Sequence, residues 1–93
     1  MDALITTKRQ LMKFQIIDEN NLGNKRFVVK IQLLPENMTE ANSIRNIEAG
    51  TADDNERVTV TNFLHFVLSQ KNYSPIGSLD QQGEIFTISA FKN

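Results

Sequence analysis

Apolar and polar residues alternate in two stretches, Leu11 to Ile17 and Phe27 to Leu33, and the turn-forming run Asp18-Glu19-Asn20-Asn21-Leu22-Gly23-Asn24 lies between them. A period of two marks a half-buried strand, so the pattern predicts a β-hairpin. Centring its turn on Leu22-Gly23 pairs Met12 with Leu33, Phe14 with Ile31 and Ile16 with Val29, which puts six apolar side chains on one face. The other face then receives Lys13 with Gln32, Gln15 with Lys30 and Ile17 with Val28, while Glu19 stands opposite Arg26. A one-residue slip would set Phe14 beside Lys30. Pro35 has no N–H to donate and closes the second strand.

The period then changes. Thr39 is placed to cap a short helix through Ala41, Ile44 and Ile47, with Gly50 as its C-terminal glycine. The polar, acidic run Thr51 to Glu56 has no apolar anchor beyond Ala52 and predicts a mobile loop or a frayed helix start, so residues 36–57 read as a mobile acidic connection within one domain, 1–93. Val60, Phe63, Leu64, Val67 and Leu68 follow a 3.6-residue period, with Asn62, His65, Ser69 and Asn72 as the polar stripe, and predict a helix over about Thr61 to Lys71. The β-branched run Val58 to Thr61 suits a strand as well as a helix start.

A second hairpin closes the chain. A type I turn at Gln81-Gln82 with a left-handed Gly83 sets Ile76 opposite Ile88 and Ser78 opposite Phe86, and directs Phe86, Ile88 and Ala90 to the core. The order β, β, α, α, β, β predicts a two-layer α+β domain: a mostly antiparallel sheet of about four strands with one or two helices on one face. Ninety-three residues make one modest core, burying about 60 to 65% of the unfolded surface.

Charge changes this picture more than composition does. Residues 1–35 carry six Lys/Arg against three Asp/Glu, and residues 36–56 carry one against six, so a net charge of −1 conceals a basic start and an acidic middle. Such separation steers association more than it sets a fold. The chain has no cysteine, which removes disulfides, thiolate metal sites and thiol nucleophiles, and fits a cytoplasmic protein. No apolar run reaches membrane-spanning length and no targeting signal is visible, so no membrane partner is expected.

Catalytic chemistry finds little to stand on. There is no phosphate-binding, dinucleotide-binding, nucleophile-elbow, zincin or calcium-loop motif, and the single histidine, His65, sits on the polar stripe of its helix. Asp53, Asp54 and Glu56 lack the spacing of a calcium loop, so neither a metal nor a cofactor is expected, and the chain is read as a non-enzymatic protein. Candidate contact residues lie on surfaces instead. Lys13, Gln15, Lys30 and Gln32 make an outward face without a central acid, whose ends Lys8, Arg9, Lys25 and Arg26 can crowd, while Asp53, Asp54 and Glu56 form an acidic counterpart. Ile17 and Val28 share the outward face, with Ile85 and Phe91 as additions from the last strand.

These residues predict a small binding or regulatory protein that docks a protein partner, of the kind common among accessory proteins of phages and mobile elements. The alternative is a nucleic-acid binder working through the basic hairpin, though Phe14 and Phe27 point inward and supply it no stacking platform. Uncovered sheet edges or the Ile17/Val28 face would also suit a homodimer.

Overall fold

The computed structural model describes residues 12–93, with Ser78 and Leu79 described by their backbone alone. Lys8, Arg9 and Leu11 lie outside the described residues. Six elements follow in chain order: β1 (Lys13–Gly23), β2 (Arg26–Leu34), α1 (Met38–Ala49), α2 (Asp54–Gln70), β3 (Tyr73–Gln82) and β4 (Ile85–Lys92). The strands form one antiparallel sheet in the order β1-β2-β4-β3, so the two hairpins are joined through their second strands, and both helices lie on one face. This is the two-layer α+β architecture that the alternation predicts.

The inner face of the sheet presents Val29, Ile31 and Leu33 from β2 and Phe86, Ile88 and Ala90 from β4, all buried. Val60, Phe63, Leu64, Val67 and Leu68 of α2 close over them, joined by Ile44 from α1. Each such side chain, fully buried, contributes about 1.5 to 3 kcal/mol of transfer free energy, and this layer is where the fold's stability resides.

The register of the first hairpin differs from the predicted one. Phe14 faces Leu33 and Ile16 faces Ile31, a shift of two residues that keeps the inward parity. Lys13 then faces Leu34 and Gln15 faces Gln32. Ile17 is an extra residue in a β-bulge, so the Ile17–Val28 pair does not form, and beyond it Asp18 faces Lys30 and Glu19 faces Val29 rather than Arg26. The turn moves to Asn24-Lys25, whose φ values of 55° and 64° are the left-handed pair of a primed hairpin turn. Asparagine tolerates that region better than most side chains, and the strand thereby continues through the stretch read as a turn.

Both helix starts also move. Asn37, not Thr39, caps α1 by accepting the Glu40 N–H at 2.9 Å, while Gly50 ends it at φ 79° as predicted. Helix α2 begins at Asp54 rather than near Thr61, because Asp53 and Glu56 form a reciprocal capping box that satisfies two otherwise orphaned N–H groups. Val58 to Thr61 is therefore helical.

In the second hairpin the turn is Gly83-Glu84, pairing Gln81 with Phe86 and Leu79 with Ile88; the predicted Ile76–Ile88 and Ser78–Phe86 pairs are replaced. The ladder breaks between Pro75 and Leu79. Within that bulge Gly77 passes so close to Ser89 that an added Cβ would lie 2.7 Å from the Ser89 Cβ. Lack of a side chain, not a special φ, is what this position requires.

Candidate functional site

Cross-strand pairing determines what the outward face of the sheet, the one on which neither described helix packs, displays. One row runs Gln15, Gln32, Ile85, Gln82 across all four strands, and the next runs Asp18, Lys30, Thr87, Asp80. Val28, paired with Asn20 and Ser89, lies beyond them. None of these residues belongs to the core, and both described helices pack on the opposite side. Val28, Gln32, Leu34, Ile85, Thr87 and Ser89 are half-buried among their neighbours, while Gln15 and Lys30 are exposed.

Lys13, Gln15, Lys30 and Gln32 therefore share one face, as the alternation predicts. The absence of a central acid does not hold, because the bulge at Ile17 turns Asp18 outward beside Lys30, and β3 adds Asp80 to the same row. Lys13 is also engaged, with its Nζ 2.9 Å from a Glu36 carboxylate oxygen in an exposed ion pair. The face is thus mixed in charge and rich in amides and hydroxyls, with Val28, Leu34, Ile85 and Phe91 among its apolar members. Ile17 has no partner across β2 and is 39% exposed.

The acidic candidates are placed elsewhere. Asp53, Asp54 and Glu56 stand at the start of α2, in the helical layer on the other side of the sheet from Lys30. Glu56 accepts the Asp53 N–H at 3.1 Å with one oxygen and the Asn46 side-chain amide at 3.1 Å with the other, which ties α2 to α1. Asp53 accepts the Glu56 N–H, and Asp54 pairs with Arg57. The two halves of the candidate set do not form one site.

Chemistry beyond surface contact finds no cluster. Among the described residues no group of three His, Cys, Asp or Glu side chains is arranged to hold a metal ion. His65 is exposed on α2. A shallow depression lined by Ala41, Ile44, Arg45, Glu48, Gly83 and Glu84 encloses about 180 Å³, below the roughly 300 to 1,000 Å³ of small-molecule sites.

Among the described residues Tyr73 is a perturbed group, and it has a structural role. Tyr73 on β3 is buried, packs edge-on against Phe27 at 5.3 Å, and its O–H donates to Glu19 Oε1 of β1 at 2.6 Å, so it links the two edge strands across the inner face. Burial first, then the Glu19 hydrogen bond and negative charge, pushes its pKa from 10.0 up to about 12.

Phe91, outward by alternation, is 41% exposed beside Arg26, its partner across β2 and β4. Sequence reasoning missed one feature of the surface: Phe14, inward-facing, still leaves 37% of its surface open, stacked edge-on against Phe63 at 5.8 Å. That exposure does not follow from local periodicity, since it depends on which strand or helix lies alongside. No helix among the described residues is long and apolar enough to cross a membrane. Comparison of the chain with protein-family models, with curated proteins and with solved structures found no match, so the surface itself carries the functional argument.

Proposed function

We propose that this protein is a non-enzymatic binding module that docks a protein partner on the open face of its sheet. The observation that carries this reading is that a four-stranded sheet whose inner face is fully used by the core leaves its outer face uncovered by either described helix. On that face half-buried Ile85 and Val28 lie two rows apart, with the Asp18-Lys30-Thr87-Asp80 row between them and Gln15, Gln32, Gln82 and Ser89 beside them, so hydrogen-bonding groups dominate and two separate apolar side chains add contact.

Size decides what kind of contact this supports. Four strands at about 4.8 Å spacing and about seven residues of ladder give a footprint of roughly 450 Å², compared with about 800 Å² per partner in stable complexes. The face therefore suits a transient, regulatory contact. Asp18 and Asp80 on the Lys30 row oppose a phosphate backbone there, which favours a protein over nucleic acid at the centre of the sheet.

The test is capture from native lysate by the immobilised protein, compared with a Val28→Glu/Ile85→Glu variant whose fold is checked by circular dichroism. A specific protein captured by the first and lost with the second is the expected result. Capture unaffected by the double variant would overturn the assignment.

A further inference from the structure

The pairing of β2 with β4 brings together cations that are far apart in the sequence. Arg26 faces Phe91, and the next residue, Lys92, donates its backbone N–H to the Lys25 carbonyl at 2.7 Å. The Lys92 ammonium in turn donates to the Lys71 carbonyl at the end of α2, at 2.8 Å. Arg26, Lys25, Lys92 and Lys71 thus form a continuous strip from the open face, over the end of the sheet, to the helical layer.

Acids do little to neutralise it. Glu19 reaches this end, but its carboxylate accepts the Tyr73 O–H and lies 3.8 Å from Lys71 Nζ, so it serves those two groups. Among the described residues Lys25, Arg26 and Lys92 have no ion-pair partner, whereas Lys13 and Arg57 are paired to Glu36 and Asp54. Among the described residues, four cations therefore gather at this end of the sheet with one carboxylate, Glu19, beside them.

Phe91 specifies the kind of anion. Its exposed ring lies on the sheet surface with Arg26 on one side and Ser74 on the other. An aromatic face beside a guanidinium stacks on any unpaired base while neighbouring cations hold phosphates. A carboxylate-rich peptide gains nothing from the ring, and a duplex keeps its bases stacked internally. We infer that this end of the molecule binds single-stranded nucleic acid, with Phe91 as the stacking platform, Lys25 and Arg26 as phosphate contacts, and Lys92, whose ammonium lies 4.4 Å from the Tyr73 ring centre on the inner side, adding positive charge behind them. This site adjoins the proposed protein-docking surface, since Arg26 and Phe91 are the next outward pair after Val28 and Ser89, but its test reads a different ligand and its failure would leave that reading standing.

The experiment is fluorescence anisotropy of a labelled single-stranded oligonucleotide of about 12 nucleotides, a length within the span one small domain covers. It is titrated at about 50 and 200 mM salt, with a matched duplex and a polyglutamate peptide as competitors. With about two phosphate contacts, affinity is expected to fall roughly sevenfold between the two salts. Lys25→Glu/Arg26→Glu, at two exposed positions, should abolish binding, and Arg26→Ala should weaken it. Phe91→Ala should weaken it about tenfold while leaving the salt dependence unchanged, and Lys13→Glu should have no effect. Absence of binding at the lower salt, displacement by polyglutamate in preference to the single strand, or binding retained by the double reversal would each overturn the inference.

Discussion

The two faces of the sheet come from the same strands, yet they are built by opposite rules. Along β4, Phe86, Ile88 and Ala90 are buried to 2% exposure or less, while the intervening Ile85, Thr87, Ser89 and Phe91 are all more exposed. The inner face is closed by α2 over an apolar centre, with polar links such as Tyr73–Glu19 and Gln81–Ile44 towards its edge; the outer face alternates amides, hydroxyls and single charges with a few apolar side chains. Folding free energy is therefore drawn almost wholly from one face, and substitutions on the other are free to change what the protein contacts.

The largest expected effect tests that division at adjacent positions. Phe86→Ala should cost about 3 to 5 kcal/mol, since it removes a fully buried ring and leaves a cavity. Ile85→Ala, one residue earlier and facing outward, should cost under about 1 kcal/mol. Urea unfolding of the two variants compares the faces directly, and equal losses would break the contrast.

A second expectation concerns the polar link on the inner face. The folded protein holds the Tyr73 proton more tightly than the unfolded chain, with a pKa of about 12 against 10.0, so this contribution is complete below pH 10.0 and is lost as pH rises through about 12. The chain contains one tyrosine and no tryptophan, so phenolate absorbance reports Tyr73 alone. Titration at the ordinary value would dissolve the link to Glu19, and Tyr73→Phe should remove the alkaline loss of stability attributable to this group.

A smaller effect marks where the outer face is itself constrained. Gly77→Ala sets a methyl 2.7 Å from the Ser89 Cβ and should cost about 1 to 3 kcal/mol by overpacking. Adding Ser89→Gly should restore part of the loss. No recovery in the double variant would mean that the backbone of the bulge, rather than this contact, sets the requirement.

Much of the architecture was legible because periodicity reports parity. Alternation assigned Phe14, Ile16, Ile31 and Leu33 to one face correctly, and the 3.6-residue repeat found the buried stripe of α2. Register was not legible, since a two-residue shift preserves every inward residue and costs the pattern nothing. The bulge at Ile17 has no local signature, and it alone brings Asp18 to the outer face and Glu19 to Tyr73. The start of α2 was written in Asp53 and Glu56, but the β-branched run that follows pulled the reading towards a strand. Lys13, Gln15, Lys30 and Gln32 were placed on their face by alternation, whereas the strip of Lys25, Arg26, Lys71 and Lys92 exists only once β2 and β4 pair.

Site-specific photocrosslinking reads the proposed docking of a protein on the outward face of the sheet without a change of charge or packing. A photoreactive side chain at Gln32, on the open face, is compared with one at His65, on the solvent side of α2. A discrete protein adduct is expected from Gln32 and none from His65. Adducts formed equally from both positions, or only from His65, would contradict that docking.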